Sequence, residues 1–186
     1  SFHDGRRTGY NTDVTGFQAA FDRSLSDAPR KMVVQVGAGG GGSATSYALM
    51  NLGVAKLILH DHDRSRADAL VDRIAKRFGA HRVERCADLD ASLAACDGVV
   101  NASPMGMAEH PGMAIPVDSL RSAMWVADIV YFPLETALLQ AAQVAGCRVL
   151  NGSGMAVSQA AGAFRIFTGR EADAERMTDT FRQCAA

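Results

Sequence analysis

The sequence predicts an α/β fold: a doubly wound, mostly parallel sheet of six strands with helices on both faces. Three observations predict it. Short runs rich in Val, Ile and Leu alternate with longer segments of helical periodicity. A glycine-rich turn, Gly37-Ala38-Gly39-Gly40-Gly41-Gly42, joins the first of those runs to a helical segment. The chain has 186 residues, 48% of them hydrophobic, which suits one α/β domain with a real core and is too apolar for disorder.

In chain order, residues 1–14, "SFHDGRRTGYNTDV", are polar and turn-rich. Thr15–Leu25 carries Phe17, Ala20, Phe21 and Leu25 at helical spacing, and Asp27-Ala28-Pro29 ends that helix. The alternation predicts strands at Met32–Val36, Lys56–His60, Arg82–Cys86, Gly98–Ala102, Met124–Ile129 and Arg148–Leu150, most of them apolar runs. Amphipathic or Ala/Leu-rich stretches predict helices near Gly41–Leu52, Ser65–Phe78, Leu89–Ala95, Leu134–Ala145, Met155–Thr168 and Ala172–Cys184. No internal repeat or low-complexity tract interrupts the alternation.

Charge and composition exclude several classes of function. The net charge is −1, with 19 basic and 20 acidic residues intermixed, so no basic stripe points to nucleic acid or an anionic membrane. No apolar run approaches the ~20 residues of a membrane span. The N-terminal residues do not read as a signal peptide. The cysteines Cys86, Cys96, Cys147 and Cys184 are scattered without a C-x-x-C pair, which fits free thiols in a reducing cytoplasm. The histidines show no ligand spacing, and no metal is expected.

The glycine turn carries the sharpest signal. Gly37, Gly39 and Gly42 form G-x-G-x-x-G between a buried-strand pattern and a helix, the context that makes the motif meaningful. The first glycine permits the tight turn, the second lets a pyrophosphate approach the backbone, and the third lets helix and strand pack closely. The helix N-terminus then offers N–H groups and partial positive charge to phosphates. Asp61 ends the second strand, 24 residues after Gly37, where a carboxylate accepts hydrogen bonds from adenosine ribose hydroxyls. The alternative is a loop serving only chain reversal. A carboxylate at position 61 repels the 2′-phosphate of NADP, which favours NAD. Arg64 and Arg66 nearby either reach such a phosphate or sit on a solvated helix face, so NADP stays open.

Four further stretches resemble signatures of the shikimate/quinate dehydrogenases. They are "GYNTDVTGF" (Gly9–Phe17), "NASPMGM" (Asn101–Met107), "NGSGMAVSQAAGAF" (Asn151–Phe164) and the Tyr-x-Pro-x-x-Thr segment beginning at Tyr131. Their order around the glycine turn covers essentially the whole chain. The resemblance implies a Rossmann-like fold and hydride transfer between NAD (or NADP) and a ring hydroxyl of shikimate or quinate, in aromatic amino acid biosynthesis or quinate catabolism. It implies that Asp13 is catalytic and that Asn11, Asp13, Tyr131 and Gln159 contact substrate. It matches Gly37, Ala38, Gly39, Gly40 and Gly41 to the phosphate turn and Asn101, Ser103, Met105, Ile129 and Gly152 to the nicotinamide half; with Gly42 and Asp61 from the turn motif and strand end, and His62, Arg66 and Met155 beside them, these are the expected cofactor contacts. Without the resemblance, the same residues also fit plainer roles: Asn11-Thr12-Asp13 as a helix cap, Tyr131 as a half-buried loop aromatic, Gln159 as a locally satisfied polar residue and the methionines as core filler.

The chain departs from the family pattern in two ways. Where the NADP enzymes carry Asn-Arg-Thr, it has Asp61, His62 and Asp63, which again favours NAD and makes quinate a serious substrate. The Ser-x-Ser-Pro motif and catalytic lysine of the family's N-terminal substrate domain have no counterpart, since Lys31, Lys56 and Lys76 all fall elsewhere. The expected organisation is therefore a substrate-domain remnant (1–14), a connecting helix and linker (15–30), a dinucleotide-binding domain (31–168) and a C-terminal helix (169–186) packing toward the missing domain. Alone, such a chain is expected to bind NAD and to be inactive or nearly so. A homodimer is compatible with all of this. Two alternatives stand beside it: a non-catalytic NAD-binding redox sensor, and a related dehydrogenase acting on another small cyclic or folate-like substrate.

Overall fold

The computed structural model describes residues 1–3 and 5–185. A short antiparallel hairpin of β1 (Phe2–His3) and β2 (Arg6–Arg7) precedes α1 (Thr12–Leu25). The central sheet then builds from β3 (Met32–Val36), β4 (Lys56–His60), β5 (Val83–Arg85), β6 (Gly98–Asn101), β7 (Trp125–Asp128) and β8 (Arg148–Leu150). Between and after them lie α2 (Gly40–Asn51), α3 (Arg64–Phe78), α4 (Leu89–Ala95), α5 (Ala137–Val144), α6 (Ser153–Thr168) and α7 (Ala174–Ala185).

All six strands of this sheet run parallel, in the order β5-β4-β3-β6-β7-β8. The order reverses between β3 and β6, and ligands of open α/β sheets bind at such a switch point, beyond the strands' carboxyl ends. Register places His60 beside Val36, Val36 beside Asn101, and Asn101 beside Asp128, so four strand ends form one edge. The loops that matter leave from that edge.

Two apolar cores flank the sheet. One joins Phe17, Phe21, Leu49, Leu59, Leu70, Ile74 and Trp125 beneath α1, α2 and α3. The other joins Val34, Ile58, Leu93, Met124, Leu138 and Leu139 beneath α4 and α5. Helix α1 belongs to the first core. Phe21 meets the Trp125 ring edge-on at 5.1 Å, and the indole Nε1 donates to the Pro29 carbonyl at 2.8 Å.

The six sheet strands and seven helices match the sequence expectation, with shifts at their ends. The instructive shift is at α1, which begins at Thr12 rather than Thr15. The Asn11 side chain accepts the Asp13 N–H at 3.1 Å and caps the helix, so Asn-Thr-Asp is both a cap and the first helical turn.

Candidate functional site

The glycine turn leaves β3 at the switch point. Gly37 has φ 105°, and a Cβ there would lie 2.5 Å from the Ala102 carbonyl carbon and oxygen, because the turn packs directly on the loop after β6. At Gly42 a Cβ would meet the Gly37 carbonyl oxygen at 2.2 Å. These two glycines are required by close approach of backbone to backbone. Gly39 and Gly40 are the opposite case: a Cβ there meets nothing within 4 Å, and both residues are exposed. Gly39 caps α2 without any side-chain bond. The turn is closed on its protein side and open on the side where the helix N-terminus offers N–H groups and positive potential to an anion.

Asp61 lies one residue past β4 and faces the same turn. Its side chain is 6% exposed and accepts hydrogen bonds from the backbone N–H groups of Ala38 (2.7 Å) and Asp63 (2.9 Å). The His62 ring nitrogen approaches the same carboxylate at 3.1 Å while remaining well exposed itself. The carboxylate therefore holds the turn, and its remaining lone pairs border a small polar hollow of about 100 Å³ lined by His60, Asp61, Arg64, Arg85 and Cys86. Arg66 points away to an exposed pair with Asp63 at 3.4 Å, while Arg64 lines the hollow.

A cleft of about 610 Å³ opens over Gly39, Gly40 and Gly41, between the loop Ala102–Met107 and the segment Ile129–Phe132. Its two walls are tied together beneath the surface. Asn101 is buried; its Nδ2 donates to the Met105 carbonyl (2.8 Å) and to Asp128 Oδ1 (2.9 Å), and its Oδ1 accepts from Ser103 N and Oγ. Asp128, 2% exposed, accepts as well from the Val130 N–H at 3.0 Å and the Thr136 hydroxyl at 2.8 Å. Burial outweighs these bonds and pushes its carboxyl up to about 6. Asn101 thus faces the protein; Ser103 lines the cleft directly, whereas Met105 turns toward Gly112 and Met107 of the same loop is the methionine that lines the cleft.

An adjoining pocket of about 530 Å³ shares Gly41, Ile129 and Tyr131 with that cleft and adds Asp13, Gly152, Met155, Gln159 and Phe181. Helices α1 and α6 bring Asp13 and Gln159 together because they cross at Gly16. A Cβ at Gly16 would meet the Met155 carbonyl at 2.8 Å and the Gln159 backbone nitrogen at 2.9 Å. Across this contact the Thr12 hydroxyl donates to Gln159 Oε1 at 3.2 Å. Tyr131 is 55% exposed, with its ring edge-on to Phe181 of α7 at 6.2 Å. Gly152 is buried under the Ile129 and Val130 carbonyls, 2.5 and 2.6 Å from the position of a Cβ. Asn11 remains on the exposed rim as the α1 cap.

The fold thus gathers Asp13, Tyr131, Gln159, Gly152, Met155 and Ile129 beside the glycine turn. It sets Asp61 and His62 at the other end and turns Arg66 outward. Sequence reasoning missed Gln35, Asp128 and Gly16. The first two carried a visible signal, since each interrupts an otherwise apolar strand (Val33-Val34-Gln35-Val36; Val126-Ala127-Asp128-Ile129).

The family described as Shikimate 5′-dehydrogenase C-terminal domain matches residues 152–180. The chain is 49% identical over 180 residues to a quinate/shikimate dehydrogenase (NAD(+)) of Corynebacterium efficiens, covering 96% of this chain and 63% of the relative. It is 49% identical over 178 residues to a shikimate dehydrogenase (NADP(+)) of Streptomyces avermitilis, covering 95% of this chain and 61% of the relative. The structure of quinate dehydrogenase from Corynebacterium glutamicum in complex with NAD superposes with a TM-score of 0.92 at 49% identity, over 96% of this chain and 64% of that one. The chain spans about three-fifths of the length of these relatives. Near-half identity over almost the whole chain, with a TM-score of 0.92, establishes that it belongs to the shikimate/quinate dehydrogenase family.

Proposed function

We propose that the chain is the nucleotide-binding portion of an NAD-linked dehydrogenase that oxidises a ring hydroxyl of quinate or shikimate and reduces the corresponding ketone in reverse. One observation carries this reading: the cleft over the glycine turn and the pocket of Asp13, Tyr131 and Gln159 are continuous through Gly41, Ile129 and Tyr131. A dinucleotide with its pyrophosphate over Gly39 and Gly40 would run along the first and present its reactive ring to the second.

The nicotinamide supplies the hydride acceptor or donor. The protein's own groups bind and orient. The α2 N-terminus and the bare faces of Gly39 and Gly40 suit a pyrophosphate, and the Asp61 carboxylate suits ribose hydroxyls. In the oxidation direction the ring hydroxyl would pass its proton to the pair formed by Asp13 and the proposed lysine as the hydride leaves the same carbon. Asp13 offers the carboxylate that accepts a hydrogen bond from that hydroxyl, and Gln159 and Tyr131 offer polar groups to the remainder of the acid. The other contacts, a catalytic lysine among them, are proposed to come from an N-terminal substrate domain of the kind the resemblance implies. None of Lys31, Lys56 or Lys76 lines either pocket. The preference for NAD is proposed on Asp61 and on the outward turn of Arg66; the relatives include both NAD and NADP enzymes.

No described helix is long and apolar enough to cross a membrane. A cytoplasmic location is proposed on the buried free thiols Cys86, Cys96 and Cys147.

The test joins this chain to the segment of the Corynebacterium glutamicum enzyme that the match does not cover and follows NADH formation. Turnover with quinate or shikimate is expected, faster with NAD than NADP. Tight NAD binding without turnover on either acid would contradict the enzyme reading and favour a sensing module.

A further inference from the structure

Gln35 sits in the fourth position of β3, is 0% exposed, and is the one polar side chain in an otherwise apolar strand. Its amide makes four hydrogen bonds, all to the turn and first helical residues of the candidate site. Nε2 donates to the carbonyl oxygens of Gly37 and Gly42, each at 2.8 Å. Oε1 accepts from the hydroxyls of Thr45 at 2.9 Å and Ser46 at 3.1 Å, both themselves fully buried. The amide's two donors and both lone pairs of its oxygen are thereby used.

Position and chemistry both bear on the site. Gly37 and Gly42 are the first and last glycines of the turn, so one NH₂ group joins its two ends from below. Helix α2 lacks a side-chain cap at Gly39, and Gln35 fixes its first two turns from inside the fold without taking up the N–H groups a cap would occupy. A buried amide is costly unless every polar atom is paired, and a network this complete holds one geometry. That geometry leaves the N–H groups of the turn's outer side for a ligand.

We propose that Gln35 is a positioning residue for dinucleotide binding, pre-setting the phosphate turn through simultaneous bonds to Gly37, Gly42, Thr45 and Ser46. The inference rests on the nucleotide reading above. Its signature is selectivity: a ligand that places a pyrophosphate on the turn gains from pre-setting, and one that carries no phosphate does not.

The test compares the wild-type chain with Gln35→Leu and Gln35→Glu, titrating NAD, ADP and adenosine, with melting recorded in parallel. Gln35→Leu removes all four bonds and is expected to weaken NAD and ADP by about tenfold or more, two net hydrogen bonds' worth of ordering, while adenosine changes less than about twofold. Gln35→Glu keeps the shape but faces two carbonyl oxygens with a carboxylate. Its NAD affinity is expected to fall near neutral pH and to recover in part as the pH is lowered and the new carboxyl gains a proton to donate. Should Gln35→Leu fail to fold, the Gln35→Glu pH profile carries the test, because a packing role alone would not titrate. NAD affinity equal to wild type in a folded Gln35→Leu, or NAD and adenosine falling together, overturns the inference while the nucleotide reading survives. A wild-type chain that binds neither NAD nor ADP overturns both.

Discussion

The two sides of the candidate site are built on opposite principles. On the side of the glycine turn, where the nucleotide is proposed to bind, the polar groups are buried and committed: Gln35 pins the turn, Asp61 bonds to the Ala38 amide, and Asn101 and Asp128 lock the two cleft walls. On the other side, Asp13 and Gln159 are half-buried on two helices that touch through small residues, and Tyr131 and Phe132 stand more than half exposed. The first side is finished by the fold itself; the second offers groups to something else. Pre-organisation of the proposed cofactor half and openness of the proposed substrate half suit a reaction in which two reactants meet between two surfaces.

The sharpest way to break the comparison is at its most committed point. Gly37→Ala puts a Cβ 2.5 Å from the Ala102 carbonyl at φ 105°, and both strains act together. It is expected to cost more than about 2 kcal/mol and to abolish NAD binding, read by urea unfolding and calorimetric titration. The helical side is expected to give more gently. Gly16→Ala drives a Cβ against the Met155 carbonyl and should cost about 1–3 kcal/mol. It parts Asp13 from Gln159, so activity of a two-domain protein should fall while NAD affinity stays near wild type.

Asp128 gives the comparison a pH dependence. Its folded value, about 6, lies above the ordinary 3.8, because burial disfavours the charged form. The folded state therefore holds the proton more tightly, and this group's contribution is full below pH 3.8 and is lost as pH rises to about 6. The loss is on the order of 2–3 kcal/mol. Asp128→Asn removes the ionisation, so its stability should be flatter over that interval than the wild type's; equal slopes would show that the carboxylate is no burden on the fold.

Asp61→Ala should have a smaller effect with two parts. Loss of the bond to the Ala38 N–H loosens the turn for both cofactors, and loss of the charge narrows the NAD-to-NADP ratio, each by about several-fold. An unchanged ratio would confine Asp61 to holding the turn.

Much of this layout is legible in the sequence, for physical reasons. The strands announce themselves as Val/Ile/Leu runs because both sheet faces are covered, and G-x-G-x-x-G is readable because its packing is local in sequence. What stays hidden depends on distant partners. Asp128 pairs with Asn101 across 27 residues, and Thr12 meets Gln159 across 147. Gln35 looks like one flaw in an apolar strand, although its four partners lie within 11 residues. Asn101, expected on the cofactor, faces inward and acts on the cleft through its loop. The start of α1 is expected too late because the cap reading of Asn11-Thr12-Asp13 sets the whole tripeptide ahead of the helix, whereas Asn11 alone is the cap and Thr12 and Asp13 are already helical.

The most direct measurement is an amide NMR titration of the chain with NAD. Saturable shifts are expected at Gly39–Gly42, Asp61, Ser103 and Ile129; a separate groove between α6 and α7, lined by Phe164, Arg176 and Met177, is expected to stay unmoved. No saturable shift at the glycine turn, or shifts confined to that helical groove, would contradict a nucleotide site at the switch point.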